Sequence, residues 1–143
     1  MQDELVSVII PSFNRFKYLT NAIDSVLGQS YKRVEIIVVN DGSTEREYYD
    51  NKFKNLATFI NLETNQKKIN GFGPGAIRNF GCKVARGKYL AFLDDDDIWL
   101  PDKLTQQINH MRELNCQMSS TDGYFGKGEY NKETSYEIYN KEK

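Results

Sequence analysis

Only two cysteines, Cys82 and Cys116, occur in the 143 residues, and they sit far apart. That spacing suits neither a disulfide-dense scaffold nor the close pairs of a zinc site, so free buried thiols are expected. A single histidine, His110, lies inside an amphipathic stretch, which argues against a histidine-based catalytic triad. No apolar run approaches the roughly 20 residues that span a bilayer. The start Met1-Gln2-Asp3-Glu4 is acidic where a signal peptide would be basic, so the expectation is a cytoplasmic protein, at most peripheral to the inner membrane face. Excess positive charge is also missing. Nineteen basic against twenty acidic side chains leave a formal charge of -1, too little to hold a phosphate backbone, and nucleic acid is not expected as a partner. There is no G-x-x-x-x-G-K-[ST] loop and no internal repeat.

What is present is an alternation of buried-strand and helix patterns, in a length suited to one domain. Leu5 to Ile10 reads as a strand covered on both faces and stopped by Pro11. Leu19, Ala22, Ile23, Val26 and Leu27 share one helical face, with Gly28 placed to close the helix. Val34 to Val39 repeats the strand pattern. Thr44-Glu45-Arg46-Glu47 then has capping-box spacing ahead of an expected helix through Tyr48, Tyr49 and Phe53. Ala57 to Leu62 predicts a third strand and Glu63 to Gly73 a polar loop. Pro74 opens a helix whose inner face carries Ile77, Phe80, Gly81, Val84 and Ala85, with Gly87 as its stop. Tyr89 to Leu93 predicts a fourth strand, Leu104, Ile108, Met111 and Leu114 a last helix, and Gln117 to Thr121 a short fifth strand. Four strand-to-helix alternations predict an α/β domain, a mostly parallel sheet flanked by helices.

Ligands bind beyond the carboxyl ends of strands in open parallel sheets. Those positions are Pro11-Ser12-Phe13-Asn14-Arg15, Asn40-Asp41-Gly42-Ser43 and Asp94-Asp95-Asp96-Asp97. Four adjacent carboxylates repel one another unless water or a cation relieves them. Clamped between Leu90-Ala91-Phe92-Leu93 and Ile98-Trp99-Leu100-Pro101, they favour Mg²⁺ or Mn²⁺ over a solvated turn. Asp41 suits either a ligand contact or an Asx-turn, and Phe13 either a flat base or the core. Gly71-Phe72-Gly73-Pro74-Gly75-Ala76 satisfies G-x-G-x-x-A, but it follows a polar loop rather than a strand. What it retains is a helix start with Arg78 in its first turn, suited to a diphosphate or to an exposed charge.

Together, Val6 to Asn14, Glu35 to Ser43, Ala76 to Gly81 and Tyr89 to Pro101 resemble the family-2 glycosyltransferases of the GT-A fold. The likeness runs over about residues 5 to 122. It implies a Rossmann-like, three-layer α/β/α architecture and inverting transfer from a nucleotide-diphosphate sugar, most often a UDP-sugar, to a hydroxyl of a carbohydrate or glycolipid acceptor. A role in bacterial surface polysaccharide synthesis is implied in the same way. Position by position, Pro11, Ser12 and Phe13 would bind nucleotide, and Asp41 would meet the base edge. Arg78 would lie beside base or phosphate, and Asp94 and Asp95 near the ribose. Asp96 would ligate Mn²⁺ or Mg²⁺, with Asp97 supporting the loop.

Residues 1–122 would form the donor-binding domain. Residues 123–143 would be a polar tail, frayed or opening the acceptor-binding half that carries the general base in such enzymes. Asp122 is the only late aspartate, and Glu129, Glu133, Glu137 and Glu142 lack hydrophobic context. The expectation is a chain that binds donor and metal but is weak or inactive in transfer. A binding or interaction module without turnover is the alternative. A phosphate-accepting receiver domain leaves Trp99-Leu100-Pro101 and Arg78-Asn79 without a role, and a nucleotidyltransferase would want a glycine-rich loop where Pro11-Ser12-Phe13-Asn14 stands.

Overall fold

The computed structural model describes residues 4–71, 73–126 and 137–138. Four parallel strands, β1 (Val6–Ser12), β2 (Val34–Asn40), β3 (Ala57–Asn61) and β4 (Tyr89–Phe92), form one sheet in the order β3-β2-β1-β4. Helices α1 (Phe16–Leu27) and α4 (Lys103–Glu113) contribute to the core on one face, and α3 (Pro74–Val84) covers the other. The resulting α/β/α layering is the one expected.

Alternation along β1 divides the core. Val6, Val8 and Ile10 pack with Leu19, Ala22, Ile23 and Val26 of α1 and with Leu104 and Ile108 of α4. On the other face Ile9 packs with Ile37, Val39 and Ile77. Full burial of each such side chain contributes roughly 1.5–3 kcal/mol. The amphipathic face of α1 is thus buried as predicted except at its end, where Leu27 is exposed. Val84 and Leu114 are likewise exposed at the ends of their helices.

Pro11 does not stop β1, which continues to Ser12. The Val6 N–H and the Ser12 carbonyl bond on the β2 side, while the Leu5 and Ile9 carbonyls accept from β4 and its extension. By this alternation the missing N–H of Pro11 faces the β4 side. Pairing there has already ended at Ile9 with Phe92, so no ladder bond is lost.

Other expectations are corrected. The helix foreseen through Tyr48 and Phe53 is a 3-10 turn, Arg46–Tyr48, after which Asn51 Oδ1 accepts from Phe53 N at 2.9 Å and holds a turn. Thr44 forms no cap there. Instead Glu45 Oε2 accepts from Phe16 N at 2.9 Å and serves the start of α1. The polar loop contains a five-residue helix, α2 (Gln66–Asn70), capped by Asn65. Helix α3 stops at Val84 before Gly87, and a Cβ on Gly87 would stand 2.5 Å from Ser7 N, so that glycine serves a close approach. No strand forms over 117–121. Gln107 Nε2 bonds Ser119 O at 3.2 Å and so spends that carbonyl on α4.

Beyond Gly123, β5 (Tyr124–Phe125) pairs antiparallel with β6 (Glu137–Ile138). The rest of the expected tail, 127–136 and 139–143 with Glu129, Glu133 and Glu142, lies outside the described residues. Among the described residues no helix is long and apolar enough to cross a membrane.

Candidate functional site

Strand order reverses between β1 and β4, so their carboxyl ends flank the point where an open parallel sheet leaves a crevice. A cleft of ≈ 390 Å³ opens there. Pro11, Ser12, Phe13, Asp41, Asp94, Asp95 and Asp96 all line it, so residues singled out from three separate strand ends meet in one place. Arg78 is not among the lining residues; it pairs with Asp94, which is. Asp122 is exposed and does not line the cleft.

Each loop is braced by the others. After β1, Asn14 adopts φ 49, its N–H donates to Ser43 Oγ at 2.9 Å, and its Oδ1 accepts from Thr44 N at 2.8 Å. After β2, Asn40 Oδ1 accepts from Ser43 N at 2.9 Å, so Asn40 rather than Asp41 makes the local turn. Asp41 reaches further. Its buried carboxylate accepts from Gln66 N at 2.8 Å and from Asn65 Nδ2 at 3.0 Å, which anchors the start of α2 beside the cleft. Gly42 makes that approach feasible: its φ is +72°, and a Cβ there would stand 2.6 Å from Asn65 N.

The four consecutive carboxylates do not converge. A turn closed by Asp97 N to Asp94 O at 3.1 Å spreads them apart. Asp94 pairs with Arg78. Asp95 turns inward and accepts from Ser12 Oγ at 2.7 Å, while Asp96 is paired outward with Arg15 Nη1 at 2.8 Å. Burial pushes the Asp95 carboxyl above the ordinary carboxylate range, against the Ser12 bond and the Arg15 charge. Asp97 is also raised, by desolvation and then by Asp96 and Asp94.

Among the described residues no three His, Cys, Asp or Glu side chains are grouped to hold an ion. The donor set still suits Mg²⁺ or Mn²⁺ in their usual mode, in which one or two carboxylates hold the ion and substrate phosphate and water complete the shell. Asp96 supplies an exposed hard-oxygen donor at the cleft, and a guanidinium already occupies its cation position. For an anion, Arg78 Nε is buried and unpartnered, a donor left over once Asp94 is bound.

The sequence model of the family described as glycosyl transferase family 2 matches residues 7–143. The chain belongs to that family. Over 126 residues it is 36% identical to the Escherichia coli UDP-Glc:alpha-D-GlcNAc-diphosphoundecaprenol beta-1,3-glucosyltransferase WfaP, covering 87% of this chain and 48% of that one. It is 39% identical to the putative teichuronic acid biosynthesis glycosyltransferase TuaG of Bacillus subtilis, covering 84% and 46%. S. aureus TarS in complex with UDP-GlcNAc superposes with a TM-score of 0.67 at 31% identity, covering 77% of this chain and 32% of that one. The chain thus spans less than half the length of these relatives.

Within this family-2 domain the sequence reading assigns no site role to several residues. Arg15, Asn65 and Lys67 line the cleft, and Tyr48 and Gln29 support it from behind. Gln29 is fully buried: its Nε2 donates to Leu100 O at 2.7 Å and its Oε1 accepts from Leu104 N at 3.0 Å. It thereby fixes the segment after the acids and serves the start of α4. Nothing in its neighbourhood announces these bonds across 71 and 75 residues. Arg15 is the last residue of the first strand-end segment singled out above, where it has no role of its own.

A wider hollow of ≈ 650 Å³ lies at the other end of the sheet, beside Glu4, Lys88, Tyr89 and Cys116. None of β1 to β4 delivers its carboxyl end there.

Proposed function

We propose that this chain is the donor-binding part of a glycosyltransferase, taking a nucleotide-diphosphate sugar, a UDP-sugar first among them, with a divalent cation. The observation that carries the reading is the meeting of Pro11, Ser12, Phe13, Asp41, Asp94, Asp95 and Asp96 around one cleft at the switch point of the sheet. WfaP is named for a UDP-glucose donor and TarS is seen with UDP-GlcNAc, which supports a uridine nucleotide.

In this reading the base lies by Phe13, with Asp41, held by Asn65 and Gln66, facing its polar edge. Asp95, braced by Ser12, accepts from the ribose. Arg78 offers its unspent Nε to the diphosphate. Asp96 holds Mn²⁺ or Mg²⁺, which when bound neutralises charge on the departing nucleoside diphosphate. The residues at the cleft hold the donor so that the anomeric carbon faces an acceptor hydroxyl, in an inverting displacement.

Among the described residues no carboxylate other than Asp41, Asp94, Asp95 and Asp96 lines the cleft. Our reading gives all four to the donor, so proton abstraction from the acceptor is assigned to none of them. The chain is proposed to bind donor while transferring weakly or not at all.

Calorimetric titration of UDP, GDP and ADP into the 143-residue protein and its Asp41→Ala variant tests the nucleotide assignment. UDP should bind more tightly than GDP and ADP, and the variant should lose that preference. Equal affinity for all three in the unaltered protein would contradict it.

A further inference from the structure

Arg15 lines the cleft but has no part in the donor reading so far, and its guanidinium is the cation that Asp95 and Asp96 hold. Nη1 lies 2.8 Å from Asp96 Oδ2 and 3.5 Å from Asp95 Oδ1. The backbone of Arg15 is fixed, its N–H donating to Tyr48 Oη at 3.0 Å at the start of α1. The side chain is not: Arg15 and Asp96 are each 51% exposed, and the remaining guanidinium donors have no partner among the described residues. Exposed ion pairs of this kind are weak and readily exchanged. An arginine cannot yield by losing its proton, so anything that takes the carboxylate must displace the whole side chain.

We propose that Arg15 is a binding residue of the donor site with two alternating partners. In the free protein it neutralises Asp96 and so competes with the divalent cation. When a nucleoside diphosphate enters with the cation, Arg15 transfers to the phosphate oxygens. The inference rests on the reading of Asp96 as the cation ligand. Two like-charged cations cannot share that carboxylate at contact distance without mutual repulsion. A diphosphate in the same cleft offers the displaced guanidinium an anionic surface it can engage bidentately. The exchange makes cation and nucleotide bind cooperatively, each removing the obstacle to the other.

Mn²⁺ binding in the absence of nucleotide separates this role from a merely structural one. Free Mn²⁺ is followed by electron paramagnetic resonance for the unaltered protein, Arg15→Gln and Arg15→Met. Each is measured with and without saturating UDP, and thermal melts confirm folding. Removing the competitor should tighten Mn²⁺ binding without UDP by roughly three- to tenfold, and the enhancement produced by UDP should shrink by a similar factor.

Unchanged or weaker Mn²⁺ binding in both variants, with the UDP enhancement intact, overturns the role of Arg15 while Asp96 stands as the ligand. If no protein binds Mn²⁺ with or without UDP, the cation reading falls and this inference with it.

Discussion

Tyr48 Oη lies 2.5 Å from Ser12 Oγ, and the two hydroxyls form a one-way relay. Ser12 spends its single proton on Asp95, so Tyr48 must donate to Ser12, and Tyr48 in turn accepts from Arg15 N. Three strand-end loops are thereby tied to one buried carboxylate. Burial raises the Tyr48 hydroxyl above its ordinary range and keeps it protonated in this role.

Tyr48→Phe should therefore destabilise the protein by about 1–2 kcal/mol, because the buried Ser12 Oγ and the part-buried Arg15 N lose a partner. It should also weaken UDP binding several-fold through Asp95, although Tyr48 does not line the cleft. Chemical denaturation and calorimetry on the same sample check both effects. A stability loss with unchanged UDP affinity would show that the relay supports the fold alone.

Gly42→Ala should be more damaging than its position in a turn suggests. The added Cβ meets backbone atoms of Thr64 and Asn65 at 2.6 Å, and φ +72° is strained for alanine. We expect a loss of at least about 2 kcal/mol, visible as a lowered melting temperature. Affinity for UDP should fall as Asp41 loses its anchors.

Much of this arrangement was legible in the sequence because it depends on periodicity and position. The strand cores, the inner faces of α1 and α3 and the convergence of Asp41 with Asp94, Asp95 and Asp96 all follow from runs that end in polar residues. The failures share a different cause. Glu45 leaves its own turn to serve Phe16, Asn65 leaves its loop to hold Asp41, and Gln107 takes the carbonyl of Ser119. Each is a side-chain bond across 12 to 29 residues, which local pattern does not encode. The acidic run is a related case: adjacency along the chain does not show that the turn sends Asp94 to Arg78, Asp95 to Ser12 and Asp96 to Arg15, which Asp95 also approaches.

At the opposite end of the sheet Glu35 provides a control. It accepts from Ser7 Oγ at 2.5 Å, Arg86 N at 2.7 Å, and Arg86 Nε and Nη2 at 2.9 and 2.8 Å. Burial pushes its carboxyl up, but the Ser7 and Arg86 bonds outweigh it and hold the pKa below the ordinary value. A depressed native pKa stabilises above the unfolded value of about 4.3, and the benefit fades as pH falls through the native value. Glu35→Gln should cost about 1–2 kcal/mol at pH 7, the gap narrowing below pH ~4, with UDP affinity unchanged. A gap independent of pH would contradict the assignment.

Arg78→Lys should separate phosphate from base. Lysine keeps the charge but not the planar fork or the unspent Nε–H. UDP affinity is expected to fall about tenfold, roughly 1.4 kcal/mol, while uridine, which has no phosphate, binds both proteins equally. Parallel losses for UDP and uridine would move Arg78 to the base.

The central claim is tested most directly by titrating UDP into the unaltered protein and Asp96→Ala, each with and without Mn²⁺. The account predicts that Mn²⁺ strengthens UDP binding to the unaltered protein, and that Asp96→Ala binds UDP no better with Mn²⁺ than without. The same Mn²⁺ dependence in both proteins, or none in the unaltered one, would contradict it.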